Sequence, residues 1–249
     1  MIRTVKQFFY GAIFVLIIFS LIYFLYKAFF SRPTCFDHKQ NQGEEGVDCG
    51  GPCPKICLPL NFRDIETNFV KFLKVNNKII LLAQIQNPNS EVGVSNFDYQ
   101  FNVLDQNKNI VKTINNSSFI YAEEIKYLTE FLDEKEIPNI ASVELKILNP
   151  NWTKAFNFRR PDLRLLNKNI FEKDNLINLN GKIINNDFVG FENINILVNF
   201  YNQGNWVGSS KTIINNILPQ EIKEFNVVFP KNYDFNNLEA EVVIEAKRK

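Results

Sequence analysis

The chain has 249 residues, 22% of them charged, with 28 basic and 27 acidic residues and a formal net charge of +1. That balance, with no basic stripe, excludes a nucleic-acid partner from the reading. One histidine and four cysteines, all five between residues 35 and 57, leave no thiol or imidazole elsewhere for nucleophilic or general-base chemistry.

The first element is apolar. Phe8 to Tyr26 reads FFYGAIFVLIIFSLIYFLY, without a charge. A bilayer core about 30 Å thick needs roughly 20 such residues in a helix, and Ala28–Phe30 can extend this run. It is apolar all round, whereas a buried helix of a globular protein carries a polar stripe. Tyr10, Tyr23 and Tyr26 sit near its ends, where amphipathic rings favour the interface. The run exceeds a signal-peptide core, and the following LYKAFFSRPTC contains no Ala-x-Ala and no lipobox before Cys35, so an uncleaved anchor is expected. Arg3 and Lys6 precede it and Lys27 and Arg32 follow, a slight bias towards a cytoplasmic N-terminus.

Cys35, Cys49, Cys53 and Cys57 come next, separated by 13, 3 and 3 residues. The segment lacks the apolar residues for a core of its own, so covalent links are expected to hold it. Three disulfide pairings are open. Four thiolates at a zinc ion are the alternative, although the spacing has no pair of Cys-x-x-Cys knuckles. Disulfides need an oxidising compartment, which places everything after Phe30 outside the cytoplasm. Asp37, Asn41, Glu44 and Asp48 share the same glycine-containing loop and are candidate oxygen ligands for calcium, against a plain solvated acidic turn. His38 reads as a surface turn residue.

Cys35-x-Asp37, Asn41-x-Gly43-Glu44 and Gly46-x-Asp48-Cys49-Gly50-Gly51-Pro52-Cys53 together resemble a short cysteine motif of many secreted and surface proteins, C-x-D-G-x-x-N-x-x-E-x-G-x-D-C-G-G-x-C-x-x-C. The chain departs from it at His38, where the motif has Gly, and by one extra residue before Cys57. The resemblance implies an extracytoplasmic setting and no activity.

Beyond Leu58 the sequence repeats itself at an offset of 97 positions. Phe97–Val103 alternates apolar and polar residues, and Ile194–Phe200 does so with the same parity. Asp105–Lys108 matches Asn202–Asn205, a turn signal in both. Glu124-Ile125-Lys126 matches Glu221-Ile222-Lys223 residue for residue, and Val143, Leu145 and Ile147 match Ala240, Val242 and Ile244. Strand alternation is also read at Leu81–Ile85, Ala141–Ile147, Phe225–Phe229 and Ala240–Ala246. Short strands at this spacing predict sandwiches. The expectation is an all-β protein: an N-terminal transmembrane helix, a short disulfide-rich stem, and two tandem immunoglobulin-like β-sandwiches. The boundaries are 1–7 for a cytoplasmic tail, 8–30 for the anchor, 31–60 for the stem, and 61–160 and 161–249 for the sandwiches. Tyr99, Phe101, Leu145, Ile196, Val198 and Val242 are expected to face two separate cores.

Gln86-Asn87-Pro88-Asn89, Tyr99 and Leu104-Asp105-x-Asn107 are similar to small sandwich domains of the FxLYD and late-embryogenesis-abundant type 2 kinds, with Ile184-Asn185-Asn186 and Phe200-Tyr201-Asn202-x-Gly204 as fainter counterparts. The whole layout resembles uncharacterised single-pass surface proteins of bacteria with Asn- and Lys-rich, AT-rich genomes. The resemblance implies fold and not activity.

No Gly-x-Ser-x-Gly, His-Glu-x-x-His or phosphate-cradling loop occurs. The chain is therefore read as a non-enzyme, with a carboxylate pair for glycoside chemistry as the one catalytic alternative. Trp152 and Trp206 are candidate binding aromatics, although Trp more often packs at a sandwich edge. Arg159-Arg160-Pro161-Asp162 reads as a linker and Lys247-Arg248-Lys249 as a frayed end. The expected role is a membrane-anchored extracytoplasmic binding or scaffold protein for adhesion or envelope assembly. Its expected partners are the lipid bilayer and an envelope protein or glycan. The alternative is an accessory subunit of a membrane secretion or pilus-like machine.

Overall fold

The computed structural model describes residues 2–29, 34–58, 62–137, 139–231 and 237–248. Phe30, Arg32, the stem boundary at residue 60 and Lys249 lie outside the described residues. The chain forms two compact units, Met1–Cys57 and Leu58–Lys249.

The first unit opens with α1 (Ile2–Phe29). Its stretch Val5–Lys27, with mean hydropathy 2.5, is long and apolar enough to cross a membrane, and none of its most apolar part is buried against protein. The cysteine segment follows as turns and bends with one isolated bridge, Gly46 to Cys49.

The second unit is built from strands: β1 (Glu66–Val75), β2 (Lys78–Gln86), β3 (Val92–Leu104), β4 (Ile110–Ile120), β5 (Ile125–Asp133), β6 (Ser142–Lys154), β7 (Leu163–Lys173), β8 (Leu176–Asn185), β9 (Phe191–Asn202), β10 (Asn205–Ile217), β11 (Ile222–Pro230) and β12 (Leu238–Glu245). They form four three-stranded antiparallel sheets, in the orders β1-β2-β5, β4-β3-β6, β11-β8-β7 and β10-β9-β12. The first two sheets enclose one apolar cluster and the last two enclose another, giving two β-sandwiches. The strand order is the same in both. Tyr99 pairs with Ile147 and Phe101 with Leu145, and 97 positions later Ile196 pairs with Ile244 and Val198 with Val242.

Alternation puts the expected residues inside. Phe97, Phe101 and Val103 are fully buried and Tyr99 nearly so, and Ile194, Ile196, Val198 and Phe200 are fully buried. Leu145 and Val242 pack from the side against the first and second clusters. The hairpins β1–β2 and β7–β8 turn at Asn76-Asn77 and Asp174-Asn175. All four residues hold positive φ, as a two-residue turn matched to strand twist requires.

Each sandwich is closed at one end by the same polar corner. Asn87 is fully buried. Its amide donates to the carbonyls of Val92 at 2.8 Å and Tyr121 at 2.9 Å, and its oxygen accepts from the N–H of Asn89. Asn185 repeats this: its amide donates to Val189 and Leu218, and its oxygen accepts from the N–H of Asp187. Beside each corner a glutamate accepts from the backbone, Glu124 from Tyr121 and Glu221 from Leu218, both at 2.7 Å. The matching Glu-Ile-Lys triplets therefore mark matching turns, each entered through a residue of positive φ, Glu123 or Gln220.

The two cores are less separate than the alternation implied. Ile79, Leu81, Ala83 and Ile85 of β2 face the first cluster, but Ile80 and Val75 belong to the second. Leu82 is also buried. Sheet β1-β2-β5 is thus covered on both faces, which is why β2 carries the unbroken apolar run Ile79–Ala83. Nor is the C-terminus frayed through Arg248. Its N–H donates to Tyr121 Oη at 3.0 Å, and its guanidinium bonds Asp187 and the carbonyl of Arg159.

Two outcomes follow from this packing. Asn87→Leu or Asn185→Leu strands two buried carbonyls, and urea unfolding should show a loss of roughly 2–4 kcal/mol for either. Val198→Asp buries an unpaired charge and should unfold the second sandwich. Hydrogen exchange should then show β2 amides losing protection together with those of β9, because Ile80 and Leu82 lose their cover; full protection of β2 would make the sandwiches independent.

Candidate functional sites in the stem and between the sandwiches

In the stem, Cys35 pairs with Cys53 and Cys49 with Cys57. The two links overlap along the chain, so neither loop opens without breaking a bond. All four thiols are consumed, which removes the zinc alternative. Gly50 and Gly51 hold positive φ, and a side chain at Gly51 would sit 2.1 Å from the Gly43 carbonyl oxygen. The Gly-Gly pair is therefore what lets the two halves of the loop close on each other.

The oxygen-bearing residues serve that same loop. Asp37 accepts from the N–H of Lys39 and the side-chain amide of Asn41, both at 3.0 Å. Its carboxyl is held below the usual range, first by the Asn41 bond and then by backbone N–H groups. Glu44 accepts from the N–H groups of Asn41 and Asp48, and Asp48 accepts from the N–H of His38. His38 itself is exposed and its ring faces Asp48 at 3.1 Å. Asp37, Asn41, Glu44 and Asp48 are joined through Asn41, whose amide donates to Asp37 and whose N–H donates to Glu44. Among the described residues, only Glu44 joins a cluster of ligand-type atoms within 4.8 Å, and its companions are the disulfide sulfurs of Cys35 and Cys53, which offer no thiolate. In the loop as it stands, Asp37, Glu44 and Asp48 satisfy turn N–H groups.

A second site lies where the sandwiches meet. Lys126 on β5 is 1% exposed, and its Nζ sits 3.1 Å from Glu245 Oε2 on β12 and 3.9 Å from the face of Phe119. The contact with Glu245 is electrostatic rather than an aligned hydrogen bond, and Glu245 Oε1 and Thr129 Oγ1 are buried without hydrogen-bond partners among the described residues. Burial pushes the Glu245 carboxyl up, opposed by the Lys126 charge. Nearby, the Glu241 carboxylate accepts from Tyr127 Oη at 3.4 Å and Tyr201 Oη at 3.2 Å. Burial raises the pKa of both phenols, so they remain donors at neutral pH. Tyr121, which donates to the Ala246 carbonyl at 2.9 Å, is pushed up to about 12, again by burial. Two hollows of about 500 and 260 Å³ share Tyr127 and Glu245 as borders; the larger also touches Phe119, Arg160 and Glu241.

The arrangement holds surfaces together and offers hydrogen-bond acceptors. Its phenols are shifted away from the range useful for proton transfer. Trp152 packs against the first cluster and meets the Phe62 ring at a tilt, while Trp206 packs against the second and donates to Ser209. Both sit at sandwich edges. Lys126, Glu245, Tyr127 and Glu241 escaped the sequence reading. One signal for Lys126 was available: it shares parity with Leu128, a core residue, and so lies on the buried side of β5.

No family model and no curated protein matches the chain. Among solved structures it is similar to the crystal structure of red sea bream transglutaminase, at a TM-score of 0.27 and 8% identity, covering 72% of this chain and 29% of that one. A likeness at that score carries no argument about fold or activity.

The buried ion pair yields a thermodynamic prediction. Glu245→Leu leaves the Lys126 ammonium buried and unpaired and should cost about 3 kcal/mol. Lys126→Met with Glu245→Leu should recover most of that loss, because two apolar chains then replace both charges. Chemical denaturation of the three proteins measures the difference; an unchanged Glu245→Leu variant would show that the pair carries no weight.

Proposed function

We propose that the chain is a membrane-anchored display protein: α1 spans the bilayer with its N-terminus in the cytoplasm, the disulfide stem stands outside, and the two sandwiches are tandem immunoglobulin-like modules that bind an envelope protein or glycan in adhesion or envelope assembly. The observation that carries this reading is the pairing of an apolar helix exposed on every side with two disulfides immediately after it. Disulfides persist in oxidising compartments, so they favour one side of the membrane for the stem. A non-catalytic role is supported by the disposition of the reactive groups. Every cysteine is bonded, the single histidine is an exposed turn residue, and the buried carboxylate Glu245 faces a lysine. Recognition through sheet edges suits the architecture, since β4 and β7 are exposed outer strands with free backbone groups along one side.

Protease added to intact cells should remove the second unit and leave a membrane-protected fragment containing α1. Complete protection, once the outer layers are shown to be permeable, would place the sandwiches in the cytoplasm and overturn the reading. Cross-linking before solubilisation should enrich an envelope protein or glycan with the full chain, and recovery of the chain alone would count against an assembly role.

A further inference from the structure

We propose that the outer face of sheet β11-β8-β7 is a glycan site, a trough that takes a neutral polyhydroxylated chain across its strands. The inference rests on the reading above that the sandwiches are displayed for binding, and adds the class of ligand and the face that takes it.

The trough follows from register. On the central strand β8, Lys182 pairs with Glu224 of β11 and Asn167 of β7, and Asn180 pairs with Asn226 and Asn169. All six residues are exposed, while Gly181 and Phe225 between them are buried, so alternation puts the six side chains on the outer face. Neighbours within a row stand about 4.8 Å apart and the two rows about 7 Å apart. The six border a hollow of about 570 Å³ with Gly181 in its floor. Half-buried Phe171 lies on the same face, one row beyond Asn169 and opposite Asn178. The first sandwich shows the same face in an apolar form. The turns Asn76-Asn77 and Asp174-Asn175 align β1–β2 with β7–β8, and Glu124 and Glu221 align β5 with β11. Ile80, Leu73 and Phe131 then correspond to Asn178, Phe171 and Val228, and Leu82 to Asn180. The first three pack against the second cluster and Leu82 is buried. One sandwich thus spends this face on its neighbour, and the other fills it with amides and leaves it open.

The chemistry of the face selects the ligand. Its charges cancel: Lys182 pairs with Glu224, Arg164 with Asp162 and Lys231 with Glu172, each at 2.7 Å, and Lys173 and Asp174 stand side by side at the hairpin turn with opposite signs. A polyanion or a basic peptide therefore meets no net charge here. The amides are unspent. Among the described residues, no side chain of Asn167, Asn169, Asn180 or Asn226 bonds another group, whereas Asn68, Asn116 and Asn149 on other strands bond Gln84, Glu130 and Asp98. Each free amide offers two donors and an acceptor oxygen. A sugar hydroxyl both donates and accepts, so a row of hydroxyls can pair with a row of amides and leave neither unmet. Phe171 adds a ring surface for the C–H face of a pyranose. A peptide strand would add at a sheet edge, but the trough lies over β8, whose backbone is already paired on both sides.

The test is calorimetric titration of the full chain in lipid nanodiscs with chitotetraose, cellotetraose and maltotetraose, which are neutral, and with tetragalacturonate, which is anionic. At least one neutral probe should bind with a dissociation constant below about 1 mM, and tetragalacturonate more weakly. Asn180→Ala and Asn226→Ala should each weaken that binding about tenfold, as the loss of two hydrogen bonds implies. Asn115→Ala, which removes an exposed amide from β4 of the first sandwich, should leave it unchanged. Added salt should also leave it unchanged, because no net charge is met. Binding of none of the neutral probes would overturn the inference. So would tighter binding of tetragalacturonate, or neutral binding that Asn180→Ala does not touch. An envelope protein whose capture Asn180→Ala abolishes, with no sugar bound, would assign the trough to a protein and overturn it as well. Calorimetry on the purified chain does not depend on topology, which keeps the two readings apart. A chain protected from protease in cells that still binds sugar sinks the display reading alone, whereas a protease-accessible chain that binds none sinks only this inference.

Discussion

The second unit depends on a buried asparagine that bonds two carbonyls it cannot reach by strand pairing. The β2–β3 and β4–β5 connections each leave a carbonyl pointing into the sandwich end, away from water. Asn87 supplies both missing donors at once and spends its oxygen on Asn89. An apolar residue there would strand the carbonyls, and an aspartate would oppose them with more acceptors. With Glu124 holding the second loop from outside, the corner fixes how the two sheets of a sandwich are joined. Asn185 and Glu221 do the same for the other pair of sheets. The corner needs one side chain with two donors and one acceptor, in one place, and that explains why a polar residue sits fully buried at one end of each sandwich.

Between the sandwiches the logic changes from apolar to mixed. Ile80, Leu82 and Phe131 supply burial on one side of the contact, and Lys126, Glu245, Tyr127 and Glu241 supply direction on the other. Apolar area alone would let the two modules slide, since it has no preferred register. A buried charge pair and phenols aimed at one carboxylate hold only in one relative position, and their cost when misplaced makes that position specific. The second unit therefore presents its loops and edges as one body. Contacts from Tyr121 to Ala246 and from Arg248 to Asp187 extend that body to the end where the chain enters.

Much of this was legible. The apolar helix and the paired cysteines follow from composition, and the inward residues of β3 and β9 follow from parity. Glu124 and Glu221 stood out as a repeated triplet, although only the structure shows the turn N–H each one satisfies. Half of the strands were unread for identifiable reasons. β4 and β7 are mostly exposed, so their alternation is too weak to see. β1, β7 and their partners were nonetheless announced by Asn76-Asn77 and Asp174-Asn175, a turn chemistry as informative as the strands themselves. Leu81–Ile85 was read as an alternating strand, yet it overlaps the unbroken apolar run Ile79–Ala83, and such a run marks a strand covered on both faces. That single distinction separates two independent sandwiches from two that share a contact. The oxygen-rich loop of the stem shows where spacing leaves two readings open. Asp, Asn and Glu at close spacing describe a calcium loop and a self-capped turn equally well, and which one forms depends on where the N–H groups point.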